Sequence, residues 1–402
     1  MKILYILSGT EAKGGATKSF LAMADSVAKK SNEIAVVVPD DHGITPILKS
    51  RGWKVLVVPY MFSTLPYISW SPRDIIRFIP RLIMSRLINR KARKIVSGFA
   101  EEWRPDIVHE NTSVTNLGYH IARRLNIPNV VHIREYGWKD FRRVIPNLKR
   151  RLMSPNTYMV AITSDLLNYR GKNIPKSHAR VIYNGVINGG SLDFSADKSP
   201  YFFYAGRIQP QKGVGDLINA YIKYVETELL SGLKPLGLKL AGGYYSKYAD
   251  DLKNLISKAG LDDNVEWLGE IDDVQNYYSK AAATIIPSKY EGFGRVMPEA
   301  MAAGSLCVVR NSGGLSEQLK NGRKLSGHDI AFSFDTVEDL THCLSEISRS
   351  FYCAREYEVG GRFYNMINDA KKVVKDLYSY EANANGILNY YSDILNYNHN
   401  LR

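Results

Sequence analysis

The sequence predicts an α/β chain of two Rossmann-like lobes, each a parallel sheet covered by helices. Short β-rich apolar runs alternate with longer helix-period segments, the pattern of βαβ units. The alternation stops at a polar, glycine-bearing stretch and then starts again. A length of 402 residues suits two domains of ordinary size. With 45% hydrophobic and 11% aromatic residues against 23% charged, the chain can bury ordinary cores and is neither disordered nor collagen-like in composition.

Taken in order, Ile3–Leu7 reads as a buried first strand, too short for the apolar region of a signal peptide. Ile34–Val38, Val55–Val58 and Ile107–His109 are the next candidate strands. Asn184-Gly185-Val186 and the polar stretch Asn188–Pro200 have a linker's composition, which places the boundary near residue 190. Tyr201–Gly206 opens the second lobe, followed by Leu238–Ala241, Val265–Leu268, Ala283–Ile286 and Leu306–Val309. The expected division is residues 1–190 and 191–379, with a C-terminal helix at about 380–402 packing back on the first lobe. No apolar run approaches the ~20 residues of a membrane span, and no repeat of solenoid period is present. Ligands of open parallel sheets lie beyond the carboxyl ends of the strands, so two facing lobes are expected to line a central cleft.

Lysine and arginine number 53 against 40 acidic residues, a formal charge of +13 that suggests an anionic partner. The excess is local: Trp70–Ile95 holds eight basic residues and one acidic, Arg134–Leu152 seven and two. Ser71-Pro72 reads as an N-cap and first helical position, after which Arg73, Arg77 and Arg81 fall four apart and Arg86, Arg90 and Lys94 repeat the spacing. Ile76, Ile79, Ile83 and Leu87 run beside them, with a bend expected at Pro80. Such an amphipathic basic segment fits an anionic membrane surface; the alternative is a helix packed in the core with a solvated basic face. The basic residues interleave with Ile and Leu rather than stacking aromatics, and no familiar module signature accompanies them, so nucleic acid is not expected. Cys307, Cys343 and Cys353 form no C-x-x-C pair and leave one over from any disulfide, pointing to a reduced, cytoplasmic compartment.

Three constellations can carry chemistry. The first βα loop, Ser8–Ser19, contains Gly9, Gly14 and Gly15; Gly9 and Gly14 have Walker A spacing, but Gly15-Ala16 stand where Lys and Ser/Thr are required. It is either a phosphate cradle or a turn that needs glycine. The second lobe begins with Gly206-Arg207, four residues, and Lys212-Gly213 before a helix. Two cations there suit a diphosphate, unless they are merely solvated. The most specific tract is Pro287–Gly304, where Gly292 and Gly294 allow close backbone approach. Pro298 fits only a first helical turn, Gly304 reads as the helix stop, and Glu291 and Glu299 stand eight apart. A carboxylate can accept two hydrogen bonds from a vicinal diol, whereas the bland role for Glu299 is to favour the helix dipole. No H-E-x-x-H or Cys/His spacing appears, so no metal set is expected.

Gly206-Arg207…Lys212-Gly213, Leu240-Ala241-Gly242, Val265…Leu268-Gly269, Glu291-Gly292-Phe293-Gly294…Glu299-Ala300-Met301-Ala302-Ala303-Gly304 and Asn311-Ser312-Gly313-Gly314…Glu317 resemble the retaining GT-B glycosyltransferases of family 4. The stretch Val181–Val186 is similar as well, and the likeness is densest from Tyr201 to Gly322. It implies an acceptor-binding first lobe and a second lobe that binds a UDP- or GDP-linked sugar, with no cofactor. By position Arg207 and Lys212 would hold the diphosphate and Glu299 the ribose. Glu291, with Gly292 and the backbone of Phe293, Gly294, Arg295 and Val296, would hold the transferred sugar. Gly206 would line the donor loop, Gly269–Asp273 would edge the base, and Gly14 and Gly15 would approach the diphosphate or acceptor. Where the family often has His-Asp, this chain has Arg134-Glu135. His132 falls two positions earlier on the same strand face, so His132, Arg134 and Glu135 all stand as candidates for the sugar contact. His109 reads as structural. The implied activity is sugar transfer to a saccharide or polyprenyl-linked acceptor in cell-surface polysaccharide assembly, without a metal and at the cytoplasmic membrane face. A GT-B nucleotide-sugar epimerase or a non-catalytic binding homologue are the alternatives.

Overall fold

The structure, a computed structural model, describes residues 1–12, 14–65, 72–137, 144–188, 197–243, 246–352 and 355–400. The chain divides into two compact units, Met1–Gly185 with Tyr380–Arg402, and Val186–Ser379. Of the linker read at 188–200, residues 189–196 lie outside the described ones, as do Ser71, Cys353 and several basic positions of the second cluster, Lys139, Arg142 and Arg143.

The first unit is built on a seven-stranded sheet, β1 (Lys2–Ile6), β2 (Glu33–Val38), β3 (Lys54–Val57), β4 (Ile107–Glu110), β5 (Asn129–Ile133), β6 (Thr157–Ala161) and β7 (Ala179–Val181). Every pairing is parallel, in the order β3-β2-β1-β4-β5-β6-β7. Ile3, Leu4, Tyr5 and Ile6 are all buried, which explains why β1 is continuously apolar rather than alternating. Strand order reverses between β1 and β4, the place where an open parallel sheet presents two strand-end loops side by side. The terminal helix Tyr380–Asn400 lies against helix Gly15–Ala28, and Ile387, Tyr390, Tyr391 and Ile394 join the core formed by Ile3, Tyr5, Phe20 and Met23.

Helix Pro72–Trp103 spans 32 residues and contains Pro80. Its second half buries Ala92, Val96, Ala100 and Trp103 against the sheet. Its first half does not: Ile76, Ile79, Ile83 and Leu87 are 74%, 56%, 51% and 62% exposed. Core packing of that apolar stripe, one of the two readings above, is therefore excluded.

The second unit has a six-stranded sheet, β8 (Ser199–Ala205), β9 (Gly237–Ala241), β10 (Val265–Gly269), β11 (Ala281–Ile286), β12 (Cys307–Arg310) and β13 (Phe332–Phe334). It too is parallel throughout, in the order β10-β9-β8-β11-β12-β13, so its switch falls between β8 and β11. Phe202, Tyr221, Leu240, Ile285, Val308 and Phe363 are fully or almost fully buried in one core. Helix Val214–Leu230 follows β8, and the short helix Val296–Ala302 follows β11. Cys307 and Cys343 are free thiols, pushed up by burial to about 12 and about 11.

Candidate functional site

The two loops that leave the switch of the second unit are locked together by backbone. Gly213, in the left-handed region at φ 70°, lies so close to Pro287 that a Cβ there would sit 1.9 Å from the Pro287 carbonyl oxygen. Lys289 N donates to Gln211 O at 3.0 Å, and the Tyr204 hydroxyl donates to Arg207 O at 3.0 Å. This clamping brings Lys212, five residues after Arg207 on the β8 loop, into an ion pair with Glu291 on the β11 loop. Both side chains remain partly accessible, 24% and 18%, while Arg207 is exposed. Behind them Asp216 accepts from Arg310 at 2.5 Å and pairs with Lys289 at 3.1 Å, and Arg310 Nε donates to Pro287 O at 2.9 Å.

The Glu291–Arg295 loop is held from below by the segment after β12. Gly314 N donates to Glu291 O at 2.9 Å, and a Cβ at Gly314 would lie 2.7 Å from Gly292 O. The Gln318 amide donates to Phe293 O and, at 3.4 Å, to Gly294 O. The buried Phe293 ring meets Tyr378 edge-on at 5.6 Å between centroids. Pro298 is the third residue of helix Val296–Ala302, where no intrahelical donor is needed. Gly304, at φ 74°, ends it, with Gly304 N and Ser305 N donating to Met301 O and Ala300 O. Glu299 pairs with Arg295 at 3.2 Å across one turn and stays partly exposed. Thus Arg207, Lys212, Glu291, the Gly292–Val296 backbone and Glu299 are brought to one sheet end, beside Gly206. Tyr204, Asp216, Arg310 and Gln318, which hold these loops, are not among the residues singled out in the sequence, because no local spacing marks them.

In the first unit Gly14 precedes helix Gly15–Ala28 with φ −68°, and a Cβ would have ordinary contacts, 3.4 Å from Glu11 O and Thr17 Oγ1. The turn therefore imposes no backbone need for glycine at 14. Lys13 lies outside the described residues. At the end of β5, His132 is fully buried, its Nδ1 3.2 Å from His109 Nε2 and 3.3 Å from an Arg134 nitrogen. Burial, with Arg134 nearby, holds His132 well below the usual histidine range and pushes His109 down to about 3, so both rings are neutral at pH 7. His109 also bonds the Tyr391 hydroxyl, tying β4 to the terminal helix. Arg134 is half-buried and donates to Asn111 O at 2.9 Å and to Asn184 Oδ1 at 2.5 Å. Glu135 accepts from Ser113 N and Oγ at 2.9 and 2.8 Å. Of the three candidates on this strand end, Arg134 is the most accessible. Among the described residues no group of three or more His, Cys, Asp or Glu is placed to hold a metal ion, and no helix is long and apolar enough to cross a membrane.

Two parallel α/β units of this order, the second carrying the paired loops just described, define a glycosyltransferase of GT-B fold. Residues 14–185 match the family described as Glycosyl transferase 4-like domain, and residues 193–347 the family described as Glycosyl transferases group 1. A protein of the cps region of Klebsiella pneumoniae, of 42.6 kDa, is 25% identical over 333 residues, 76% of this chain and 83% of that one. The lipopolysaccharide core biosynthesis mannosyltransferase LpcC of Rhizobium leguminosarum bv. viciae is 30% identical over 181 residues, 40% of this chain and 49% of that one. The crystal structure of Anabaena Alr3699/HepE in complex with UDP superimposes with a TM-score of 0.72 at 17% identity, covering 98% of this chain and 100% of that one. That last likeness concerns the fold.

Proposed function

We propose that the chain is a retaining, family 4 type enzyme that moves a sugar from a UDP- or GDP-linked donor to an acceptor hydroxyl during assembly of a cell-surface polysaccharide. The observation that carries this is the Lys212–Glu291 pair, formed by the two loops that leave the switch point of the second sheet. The UDP of the Anabaena structure and the core-saccharide activity in the Rhizobium relative's name support the donor and acceptor classes. In this reading Arg207 and Lys212 offset the charge that develops on the departing diphosphate, the task a metal performs elsewhere. Glu299 holds the ribose, and Glu291 with the Gly292–Val296 backbone orients the sugar. The C1–O bond to the diphosphate breaks as the acceptor oxygen bonds C1 on the same face, and the acceptor proton passes to a diphosphate oxygen. No pair of glycosidase-type carboxylates is then needed. Gly14, which the turn itself does not require, and Gly15 leave room on the first unit's switch loop for phosphate or acceptor.

The test is proton NMR of early product, made from a UDP- or GDP-sugar with a lipid-linked or oligosaccharide acceptor, in EDTA and in Mg²⁺. The expected product has the donor's anomeric configuration and forms at equal rates in both. The opposite anomer, absolute dependence on Mg²⁺, or epimerised donor without transfer would contradict the reading.

We further propose that the enzyme works at the cytoplasmic membrane face, docked through the first half of helix Pro72–Trp103. Exposed Ile76, Ile79, Ile83 and Leu87 share that half with exposed Arg73, Arg77 and Arg86, and exposed Arg90 follows directly after it, a combination suited to an anionic leaflet. At about 1 kcal/mol per basic residue near such a surface, four engaged side chains give salt-sensitive adhesion. Sedimentation with phosphatidylglycerol vesicles is expected to fall as salt rises and when Arg73, Arg77, Arg90 and Lys94 become Glu. Equal pelleting with phosphatidylcholine, or none with either, would contradict docking.

A further inference from the structure

The second concentration of charge in the first unit is a cavity of about 420 Å³ beyond the carboxyl end of β4. It is walled by helix Pro72–Trp103, helix Leu117–Leu125 and the segment around helix Leu148–Leu152. Five arginines line it from these three elements, Arg86 and Arg93, Arg123, and Arg150 and Arg151, and none of its described lining residues is acidic. Solvent explains the exposed ones, but not Arg151, which is 4% exposed.

Arg151 Nη2 donates to Ser113 O at 3.2 Å, yet its Nε and Nη1 are buried with no hydrogen-bond partner. The carboxylate beneath, Glu110, is 3.9 Å from Arg151, outside hydrogen-bond reach, and is engaged by Tyr119 N at 2.6 Å and Thr115 Oγ1 at 3.2 Å. Burial pushes Glu110 upward and the neighbouring Arg151 draws it back down, so the two form a long ion pair that leaves Arg151 Nε and Nη1 without hydrogen-bond partners. A guanidinium cannot shed its proton to escape such a position, so an unsatisfied buried arginine calls for an anion. The local field is already positive enough to act on a neighbour. His120, in the same wall with Nε2 3.3 Å from Arg93, is pushed down to about 4 by burial and by Arg93, Arg151 and Arg123.

We propose that this cavity binds a phosphoryl group. Five planar forks exceed what one carboxylate can use, and they suit the several oxygens of a phosphate or diphosphate. The volume leaves room for an organic substituent, and Leu65 and Leu82 supply an apolar wall beside the arginines. Resting on the glycosyl-transfer reading, the occupant is the phosphoryl group of the acceptor, carried either by an isoprenoid lipid or by a soluble phosphorylated saccharide. The same helix lends Arg86 to this cavity and its apolar stripe to solvent, which joins phosphate capture to membrane docking in one element.

Titration calorimetry of the full chain with inorganic phosphate tests the cavity, with acetate as the carboxylate control. Saturable phosphate binding is expected, far weaker acetate binding, and a loss of about tenfold or more for Arg123→Gln/Arg150→Gln, whose exposed side chains are dispensable for folding. Arg151→Met is expected to lose more. Binding that survives Lys212→Ala but not Arg123→Gln/Arg150→Gln belongs to this cavity. Binding lost only in Lys212→Ala, equal affinity for acetate, or no saturable binding would overturn the proposal. Farnesyl phosphate and glucose 1-phosphate then separate the two sources by which binds more tightly than inorganic phosphate. The part of UDP or GDP binding that is lost in Glu299→Ala but kept in Arg123→Gln/Arg150→Gln, measured alongside, reports on the second unit, so loss of the transferase reading and loss of the phosphoryl site are distinguishable.

Discussion

Lys212→Ala is expected to lower kcat on the order of 10²- to 10³-fold while leaving the second unit folded, the usual consequence of deleting one preorganised charge stabiliser. Lys212 is held at the end of β8 by Gly213, which no residue with a Cβ can replace without displacing Pro287, and its ammonium is aimed by Glu291. On the proposed mechanism, removing it would take a cation from the developing diphosphate charge and leave Glu291 as an uncompensated anion beside that charge. Lys212→Arg should recover part of the loss, since it keeps charge but spreads it over a planar fork. Steady-state kinetics with a nucleotide sugar and acceptor, beside circular dichroism, reads both effects. An unchanged kcat in Lys212→Ala would remove Lys212 from the reaction.

Glu299→Ala is expected to weaken nucleotide diphosphate binding by about 1.5 to 3 kcal/mol, the range for hydrogen bonds to a charged group. The carboxylate sits on the fourth residue of helix Val296–Ala302, steadied by Arg295 one turn earlier. It is partly accessible, as a ribose contact requires. Glu299→Gln, which keeps one acceptor oxygen, should lose less. Calorimetric titration of UDP and GDP decides, and equal affinities for wild type and Glu299→Ala would assign Glu299 to the helix alone.

What the sequence makes legible here follows from how local each signal is. Glycines at strand ends, a proline in a first turn and a glycine stop are enforced by backbone geometry within a few residues, so the Pro287–Gly304 tract reads almost directly as loop, helix and cap. The long apolar strands are equally plain, whereas β7 and β13, three residues each, sit at sheet edges with little pattern to detect. The supports are invisible because they are tertiary. Gln318 reaches back across 25 positions to Phe293, Arg310 spans 94 to Asp216, and Tyr391 lies 282 positions from His109. Arg151 shows the same limit: in sequence it is one of seven basic residues in a charged stretch, and only folding reveals that it is buried in the wall of a cavity it shares with Arg150 and with arginines of two other helices. The helix Pro72–Trp103 is the converse case, where periodicity left two readings and the exposure of its isoleucines removes core packing of the stripe, leaving the membrane surface to be tested.

The loops after β8 and β11 are proposed to bind a nucleotide diphosphate. The most direct test of that binding is a thermal-shift panel of UDP, GDP, ADP and CDP on the wild-type chain and on Glu299→Ala. Ligand that binds the folded state raises its apparent stability by mass action. UDP or GDP is expected to raise Tm in the wild type, and the shift is expected to shrink sharply in Glu299→Ala. No shift with any diphosphate, or one of equal size in the variant, would contradict it.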